Sequence, residues 1–400
     1  MLFTPDDLDH VYAWLCDLRL AYSHNNDIWD LRRQWKTMKA DLLERLNEGT
    51  FEFSPLTRYV HPDHTVTVWS SMDMLVLKLI TLKLYGGIKP YLSSSCVHVK
   101  GHGGLKKAVK DTYQATQEHH YVFRSDIKSY YESIRFYHLM EIIREYITDP
   151  ILLTLLAKAL YRTETMGGLY ESYDEKGLPM GSPLSPLLGA IALLPLDQAM
   201  DQMPHVYYKR YMDDWVVLTK SKTALRQVIK KTHDILNRLQ LKLHPTKTYI
   251  GKISHGFQFL SYYVDHEKLL PSKESVRRAQ EKCAVLYEHA LNGRKIKRYK
   301  IDRDTSEYQT DEPPPTNADI KVLLNHLTSK VHSSKPCSQK VMKARQVIQR
   351  YIKRWATWLK CGLQDETTLL TCVTTYIPAL AYIWNTPAAS LRDFMSPSSY

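Results

Sequence analysis

The chain has 400 residues, and its 54 Lys and Arg exceed its 42 Asp and Glu, which gives a formal net charge of +12 at pH 7. Apolar residues make up 44% of the chain and charged residues 24%, a globular composition that excludes a disordered chain. At this length we expect two or three domains, each able to bury a core. The longest apolar run, residues 187–196, contains Gly189 and Pro195 and is shorter than the ~20 residues of a membrane helix.

The N-terminus and the cysteines indicate a compartment. The first seven residues are acidic and lack the basic and then apolar pattern of an export signal. The six cysteines include no C-x-x-C pair, so we expect buried free thiols and neither a disulfide framework nor a zinc site. These patterns predict a protein of the reducing cytoplasm that does not enter a membrane.

The N-terminal part is predicted to be helical and then extended. Residues 5–48 have the pattern of two helices, with an interruption near residues 23–26 and an end at Gly49. Residues 51–69 alternate apolar and polar side chains and are predicted to be extended.

The rest of the chain alternates between helices and strands. A helix is predicted over residues 71–85, ended by the glycines 86–87, and a glycine loop at 101–104 opens the next helix. Residues 121–265 have a mixed pattern of short apolar strands between helices. Residues 301–317 are polar and contain three consecutive prolines, which predicts a linker or a surface loop.

Positive charge is concentrated near the C-terminus. Residues 320–364 contain ten Lys or Arg and no Asp or Glu, and residues 294–300 contain five basic residues in seven. The apolar residues of 341–359 recur at three- or four-residue steps, which predicts a helix with one packed stripe. A helix that is cationic on its other face suits a phosphate backbone, although a solvated basic face is the alternative. The candidates for nucleic-acid contacts are Lys343, Arg350 and Arg354.

Two adjacent acids, Asp213 and Asp214, separate two β-rich runs within residues 205–218, which predicts a hairpin with the acids at its tip. An Asp-rich turn is the structural alternative, because Asp bonds its own backbone in turns. However, bulky apolar side chains flank the tip, and carboxylates held among them are costly unless a cation neutralises them. Such a pair can bind a hard divalent ion such as Mg²⁺.

A third carboxylate, Asp126, follows the apolar strand of residues 121–125. By itself, an Asp in this position is more often a helix cap than a ligand. With Asp213 and Asp214 it completes a set of three, and two Mg²⁺ ions about 3.5–4 Å apart need several oxygens to clamp a phosphoryl displacement. The three acids therefore predict a phosphoryl-transfer site.

A Gly/Pro/Ser loop at residues 177–189 runs into an apolar helix, and its glycines let the backbone approach a nucleotide. By itself this segment would be a plain helix start. The order of Asp-x-Lys-x-x-aromatic, a Gly-x-x-x-Ser-Pro loop and Tyr-Met-Asp-Asp, however, resembles the reverse transcriptase family, particularly bacterial members of group II intron and retron type. The resemblance covers about residues 50–265. It implies an α+β right-hand polymerase with fingers, a palm built on an antiparallel sheet, and a helical thumb.

The same resemblance implies a domain layout. Residues 1–50 would form an N-terminal helical segment, and 51–120 the fingers with the start of the palm. Residues 121–265 would form the palm with the catalytic motifs, and 266–400 a basic helical thumb.

The resemblance also implies residue roles, carried over position by position. Asp126, Asp213 and Asp214 would hold two Mg²⁺ ions, with Mn²⁺ as an alternative, and the backbone carbonyl of Ile127 would be a further ligand. Tyr131 matches the aromatic that crowds a 2′-hydroxyl and so favours dNTPs. The other candidates for nucleotide contacts are Met180, Gly181, Lys247, Arg58 and Lys100. The candidates for the primer grip are Phe259, Leu260, Ser261 and Tyr262.

Three positions depart from the family pattern. Met180 replaces the usual Gln, so a side-chain amide contact is missing, and Ser261 replaces a glycine of the primer grip. The fingers hairpin, residues 61–69, has no Lys or Arg, so triphosphate contacts must come from elsewhere. Arg58 and Lys100 are considered for that reason, and Lys247 could protonate the leaving pyrophosphate.

The implied function is RNA-directed DNA synthesis from dNTPs on an RNA template. Elimination among family types favours a stand-alone, defence-associated enzyme, since the chain lacks the Val-Thr-Gly of retrons and has Met in its catalytic hairpin. Such an enzyme would copy a dedicated non-coding RNA in antiphage defence. Its primer would be a nucleic acid or a tyrosine hydroxyl such as that of Tyr400, and it could act as a homo- or hetero-oligomer.

Two alternatives stay open. An RNA-dependent RNA polymerase shares the chemistry of the palm, but the bulky Tyr131 argues against it. A non-catalytic RNA-binding or maturase-like protein could use a retired polymerase fold, but this chain keeps all three acids.

Three polar residues favour structural interpretations. Asp197, late in the apolar helix, is expected on the helix surface. His98 and His102 lie near the glycine loop, but two histidines do not make a metal site.

Overall fold

The computed structural model describes residues 1–61, 64–166, 169–171 and 175–292, together with six C-terminal residues. Those six are Val347, Arg350, Tyr351, Arg354, Trp355 and Trp358. Over this part the chain mixes helices and sheets, as the sequence predicts.

Helices are distributed along the whole described part of the chain. Their bounds are α1 Pro5–Leu18, α2 Ile28–Glu48, α3 Ser71–Ile88, α4 Gly104–Thr116, α5 Tyr130–Ser133, α6 Phe136–Tyr146, α7 Pro150–Leu160, α8 Ser185–Ala192, α9 Leu194–Asp201, α10 Lys222–Arg238 and α11 Lys273–Asn292. Short 3₁₀ helices lie at Lys89–Tyr91 and Ile253–His255.

Strands are short and fall between the helices. Their bounds are β1 Leu56–His61, β2 His64–Val68, β3 Tyr121–Ser125, β4 Glu164–Met166, β5 Leu169–Glu171, β6 Val206–Tyr211, β7 Asp214–Thr219, β8 Tyr249–Lys252, β9 Phe257–Phe259, β10 Tyr262–Val264 and β11 Leu269–Pro271.

The first two helices match their prediction. Thr4 and Asp7 form a reciprocal capping box at the start of α1. Gly49 ends α2 in the left-handed conformation, with φ 71°, which glycine adopts without steric cost. The extended pattern of residues 51–69 corresponds to the hairpin of β1 and β2, with Thr57 opposite Val68.

The predicted end of α3 is wrong. The helix is capped by Ser70, whose side chain accepts a hydrogen bond from the N–H of Asp73, and it continues through both glycines to Ile88. A Cβ at Gly87 would lie 2.5 Å from Cδ1 of Ile147, so this glycine permits a close approach and does not terminate the helix. Ile88 is fully buried. Burial of Ile88 therefore outweighs the low helix propensity of the two glycines.

The strands of the described residues form three sheets. One has the order β2-β1-β4-β5, in which β1 pairs antiparallel with β2 and parallel with β4. A second has the order β6-β7-β3-β8, and a third the order β11-β10-β9, which is antiparallel throughout. In the second sheet β3 pairs antiparallel with β8.

The contacts divide the chain into two compact units. The first comprises residues 1–102, 125–215 and 226–245, and the second residues 103–124, 216–225 and 246–400. Helix α3 is central to the first unit, because apolar residues are buried on all of its faces. The predicted domain boundaries at residues 50, 120 and 265 stay predictions.

Two expectations from composition can be compared with the described residues. Among these residues, no helix combines the length and the apolar character needed to cross a bilayer. Cys16, Cys96 and Cys283 are free thiols, and the last two are buried.

Candidate active site

The hairpin of β6 and β7 presents the two adjacent acids, as predicted. β6 ends at Tyr211 and β7 begins at Asp214, so Met212 and Asp213 form the turn. Met212 has φ 56°, in the left-handed region that residues other than glycine rarely adopt. Both acids are half-buried.

Asp126 lies at the same end of the sheet as these two acids. It directly follows the last residue of β3, and β3 neighbours β7. His120, just before β3, donates its backbone N–H to the carbonyl of Thr219, the last residue of β7, over 3.0 Å. The start of β3 is therefore beside the end of β7, so Asp126 and Asp214 share the opposite end. Asp126 is 9% exposed.

The backbone around Ile127 is fixed by a second segment of the first unit. His244 donates its N–H to the carbonyl of Asp126 over 2.8 Å, and Lys128 donates to the carbonyl of Lys242 over 2.9 Å. These two bonds flank the isolated bridge between Ile127 and Leu243. Neither bond uses the carbonyl of Ile127, which is compatible with its predicted role as a ligand.

Tyr131 packs against the turn between β6 and β7. Its hydroxyl donates to the sulfur of Met212 over 3.5 Å. Burial, and then the nearby carboxylate of Asp213, raise the pKa of Tyr131, so its phenol stays protonated at neutral pH. A Cβ at Gly189 would lie 3.3 Å from the same hydroxyl, so glycine leaves space for the ring. The structure thus brings Tyr131 and the acidic turn together.

The predicted Gly/Pro/Ser loop is tied to this region by backbone hydrogen bonds. Leu178 donates its N–H to the carbonyl of Tyr131 over 2.7 Å. Trp69 donates its Nε1–H to the carbonyl of Met180 over 3.0 Å. Gly181 has φ 79°, which glycine adopts freely, and the side chain of Met180 is 72% exposed.

Asp197 is not on the helix surface, and that expectation is wrong. It is fully buried, and its carboxylate accepts hydrogen bonds from Nε and Nη2 of Arg210 and, over 2.7 Å, from the hydroxyl of Tyr208. Asp197 on α9 can be buried because its carboxylate pairs with the buried guanidinium of Arg210 on β6. Burial by itself would lower the pKa of Arg210, but the Asp197 carboxylate raises it well above its ordinary value.

Sequence reasoning missed Arg210 as a site residue. Its Nη1 donates to the carbonyl of Met212 over 2.7 Å, which connects the buried ion pair to the turn between the acids. One signal was available: Tyr208 and Arg210 alternate with half-buried positions along β6, and a charge on the buried face of a strand needs a buried partner.

Two of the predicted cations, Arg58 and Lys100, lie away from the acidic turn. Arg58 pairs with Glu164 over 2.7 Å, in the sheet that contains β1 and β4. Lys100 is exposed in a turn before the glycine loop, and its carbonyl accepts from the hydroxyl of Tyr85. The structure does not bring either cation into contact with the acids of the hairpin, so their triphosphate role stays a prediction.

The second unit contains Lys247 and the predicted primer grip. Lys247 lies in the turn before β8. The hairpin predicted to be the primer grip is formed by β9 and β10, and its turn residues Leu260 and Ser261 have φ 47° and 72°. Ser261 thus occupies a conformation that suits glycine, the residue usual in the family. Tyr262 is fully buried, and its hydroxyl accepts a hydrogen bond from Lys106 over 2.7 Å.

The C-terminal candidates are only partly described. Arg350 and Arg354 are helical and exposed, as the amphipathic pattern predicts, whereas Lys343 lies outside the described residues. Trp358 is 37% exposed, and its ring lies 3.1 Å from the Lys106 ammonium. Tyr400 and the predicted linker at 301–317 also lie outside the described residues.

The acids supply the kind of ligand that Mg²⁺ prefers, since all three are carboxylates. Within the part of the chain that the structure describes, however, no three His, Cys, Asp or Glu side chains are grouped closely enough to hold an ion. The donor chemistry fits a divalent metal, and the prediction of two Mg²⁺ ions stays a proposal.

Comparison with known proteins finds a family that the segment containing this site resembles. Residues 71–264 match the model of a family described as reverse transcriptase (RNA-dependent DNA polymerase). The matched segment includes the three acids, Tyr131 and the loop before α8. This segment, just under half of the chain, is therefore similar to the reverse transcriptase family.

Curated proteins from several sources are similar to parts of this chain. Protein YkfC of Escherichia coli K12 is 27% identical, over 36% of this chain and 46% of its own length. An uncharacterized 91 kDa protein in the cob intron of Schizosaccharomyces pombe is 21% identical, over 57% of this chain and 36% of its own length. The Pol-related polyprotein of mouse intracisternal A-particle MIA14 is 25% identical, over 56% of this chain and 25% of its own length. The chain spans less than half the length of each of these relatives.

Proposed function

We propose that this chain is an RNA-directed DNA polymerase that extends a DNA strand with dNTPs on an RNA template. One observation carries the proposal: Asp126, Asp213 and Asp214 share one end of a sheet, and Tyr131 packs against the turn between the strands that hold the last two. The similarity of residues 71–264 to the reverse transcriptase family supports it. The sheet would be the palm, the β1–β2 hairpin the fingers, and the basic C-terminal part the thumb.

In this proposal the three carboxylates, with the carbonyl of Ile127, would hold two divalent ions, Mg²⁺ or Mn²⁺. When bound, such ions neutralise charge on the transferred phosphate and lower the pKa of the attacking hydroxyl. The chain's own groups orient the reactants. Tyr131 would exclude a 2′-hydroxyl, and the backbone at Met180 and Gly181 would contact the nucleotide.

The remaining roles follow from the family pattern. Lys247 would lie near the triphosphate and donate a proton to the leaving pyrophosphate. The hairpin of residues 259–262 would position the primer end. The exposed Arg350 and Arg354 support a basic surface for nucleic acid, consistent with the net charge of +12.

The biological role is proposed on the sequence pattern. The absence of retron and group II intron signatures supports a stand-alone, defence-associated enzyme that copies a dedicated non-coding RNA in the cytoplasm. Tyr131 and the retained acids favour DNA synthesis over RNA synthesis or a purely RNA-binding role.

Primer extension tests the proposal directly. Purified protein is given an RNA template, a DNA primer, dNTPs and Mg²⁺. We expect a DNA product, and we expect Asp213→Asn to lower the rate by about 100-fold or more, because several kcal/mol of charge stabilisation are lost.

The matched control is Asp234→Asn, which removes the same charge from an exposed position on α10 and should leave the rate unchanged. If the folded wild-type protein makes no DNA on primed templates or on RNA that co-purifies with it, the proposed activity is wrong.

A further inference from the structure

Both backbone polar groups of Met212 are bound by side chains from elsewhere in the first unit. Its N–H donates to Nδ1 of His98 over 3.0 Å. Its carbonyl accepts from Nη1 of Arg210 over 2.7 Å. Met212 is the residue that precedes Asp213 and has φ 56°, a left-handed conformation in which its Cβ is crowded. The turn that presents the acids therefore has an unfavourable backbone conformation, and two side chains outside the turn hydrogen-bond to its backbone.

Arg210 is itself immobilised. It is fully buried, and besides the Met212 carbonyl it bonds both carboxylate oxygens of Asp197 and, over 3.1 Å, the carbonyl of Ala190. Asp197 and Ala190 belong to α9 and α8. The guanidinium thus fixes the Met212 carbonyl to two helices, and the planar fork allows these bonds to form together.

His98 is fixed to the same strand. Arg210 donates its N–H to the carbonyl of Ser95, and Val97 donates its N–H to the carbonyl of Arg210, each over 2.9 Å. The segment just before His98 therefore pairs with β6. The imidazole ring also meets the ring of Tyr211 edge-on at 5.8 Å. His98 consequently has little freedom to move relative to the turn.

The chemistry of His98 suits an acceptor. Nδ1 faces an N–H donor, so the ring proton is on Nε2. Burial, and then the charge of Arg210, lower the pKa of His98 to about 4, so the ring is neutral at pH 7 and Nδ1 keeps its lone pair.

We propose that His98 and Arg210 are positioning residues. They form a clamp in which His98 holds the backbone N–H of Met212 and Arg210 holds its carbonyl, and this clamp orients Asp213 and Asp214 toward the reacting phosphate. The aim of the acids rests on the proposed polymerase function, whereas the clamp itself does not. Both residues would act on the acids through the backbone of Met212. Their effect is to hold a turn that its own residues disfavour.

Amide hydrogen exchange on the wild-type protein tests the clamp without activity. A turn amide that faces water exchanges fast, whereas the clamp predicts that the Met212 amide is protected at least about 100-fold relative to an unstructured peptide. Exchange of this amide at the unprotected rate would overturn the clamp. Because this measurement requires no catalysis, it separates failure of the clamp from failure of the proposed function.

A pair of substitutions at His98 then tests the consequence for synthesis. Asn can present an acceptor oxygen close to the position of Nδ1, whereas Leu fills the space without an acceptor. We expect His98→Leu to lower kcat at least about tenfold while KM for dNTP and primer affinity change less than about twofold. His98→Asn should retain most of kcat. A purely structural role predicts that the rates of both variants follow their melting temperatures.

The double variant His98→Leu/Met212→Gly gives a third comparison. Glycine adopts positive φ without steric cost, so the turn no longer needs the clamp. We expect this variant to recover kcat relative to His98→Leu, with Met212→Gly as the reference. Equal kcat in wild type and folded His98→Leu would overturn the positioning role. If His98→Leu does not fold, the exchange measurement on wild type still decides whether the clamp exists.

Discussion

The ring of Tyr131 lies between Met212, whose sulfur accepts its hydrogen bond, and Gly189, which lacks the Cβ that would crowd the hydroxyl. These contacts restrict the movement of the ring. We expect Tyr131→Ala to reduce the preference for dNTPs over NTPs by about tenfold or more, which corresponds to ~1.4 kcal/mol of lost discrimination. Steady-state kcat/KM for matched dNTP and NTP pairs measures the change.

The control for this prediction is Tyr131→Phe. It keeps the ring and loses only the hydroxyl, so it should keep the preference for dNTPs. An unchanged preference in Tyr131→Ala would show that Tyr131 is not the gate.

His98 makes stability depend on pH. Burial lowers its pKa to about 4, while the unfolded chain titrates near 6.5, so the unfolded state binds more protons between these values. The stabilisation is therefore complete above pH 6.5 and is lost as the pH falls towards 4. At pH 5 we expect wild type to lose about 2 kcal/mol relative to His98→Asn. Melting temperatures of both proteins at pH 7 and pH 5 measure this, and parallel shifts would contradict it.

Residues with a local signature could be predicted from the sequence. Asp126 follows a strand and the pair Asp213 and Asp214 interrupts two strands, so their places in the secondary structure follow from nearby residues. Asp197 could not be placed in this way. Its burial depends on Arg210, 13 residues away on another element, and helix periodicity carries no information on that pairing.

At the scale of elements, Trp69 joins the end of the β1–β2 hairpin to the Gly/Pro/Ser loop through the Met180 carbonyl. Arg162 stacks on the indole at 4.1 Å, so the ring is held from both directions. We expect Trp69→Phe, which removes the N–H donor, to lower the free energy of unfolding by about 1–2 kcal/mol. If the loop contacts nucleotide, KM for dNTP should rise as well. Urea unfolding and steady-state kinetics measure the two effects.

The matched control is Trp29→Phe. Its Nε1 donates to the carbonyl of Ser23 at an exposed site, so removal of that bond should change stability by less than about 0.5 kcal/mol. Equal changes in the free energy of unfolding for the two substitutions would show that the hydrogen bond from Trp69 to the loop stabilises the protein no more than an exposed one.

Elements that depend on local chemistry were predicted best. The cap at Gly49 and the hairpin at residues 206–219 are examples. The end of α3 was not, because Gly86 and Gly87 resemble a helix stop in sequence while Gly87 actually lies against Ile147. Tertiary contact overrode local propensity there, as it commonly does.

At the scale of the whole molecule, the excess of positive charge predicts salt-dependent binding of RNA. Arg350 and Arg354 are each helical and exposed. We expect Arg350→Ala/Arg354→Ala to weaken RNA binding and to make the slope of log K against log salt shallower by about 1.5, since each lost phosphate contact removes ~0.7–0.9. Titrations at several salt concentrations measure the slope.

The control is Arg33→Ala/Arg45→Ala on α2, where each Arg already pairs with an Asp on the same helix. This double variant has the same change in net charge and should keep the wild-type slope. An equal loss of slope in both double variants would indicate general electrostatics without a localised binding surface.

The buried pair of Asp197 and Arg210 constrains how this chain can change over evolutionary time. Loss of one partner leaves the other as an uncompensated buried charge, which typically costs ~3–5 kcal/mol, a large share of the stability of an ordinary domain. Replacement of both by apolar residues of similar volume can be nearly neutral for folding, yet it would release the Met212 carbonyl. A single substitution of Asp197 or Arg210 is therefore disfavoured by the loss of stability. Substitution of both residues is disfavoured because the Met212 turn would lose a hydrogen bond that holds it.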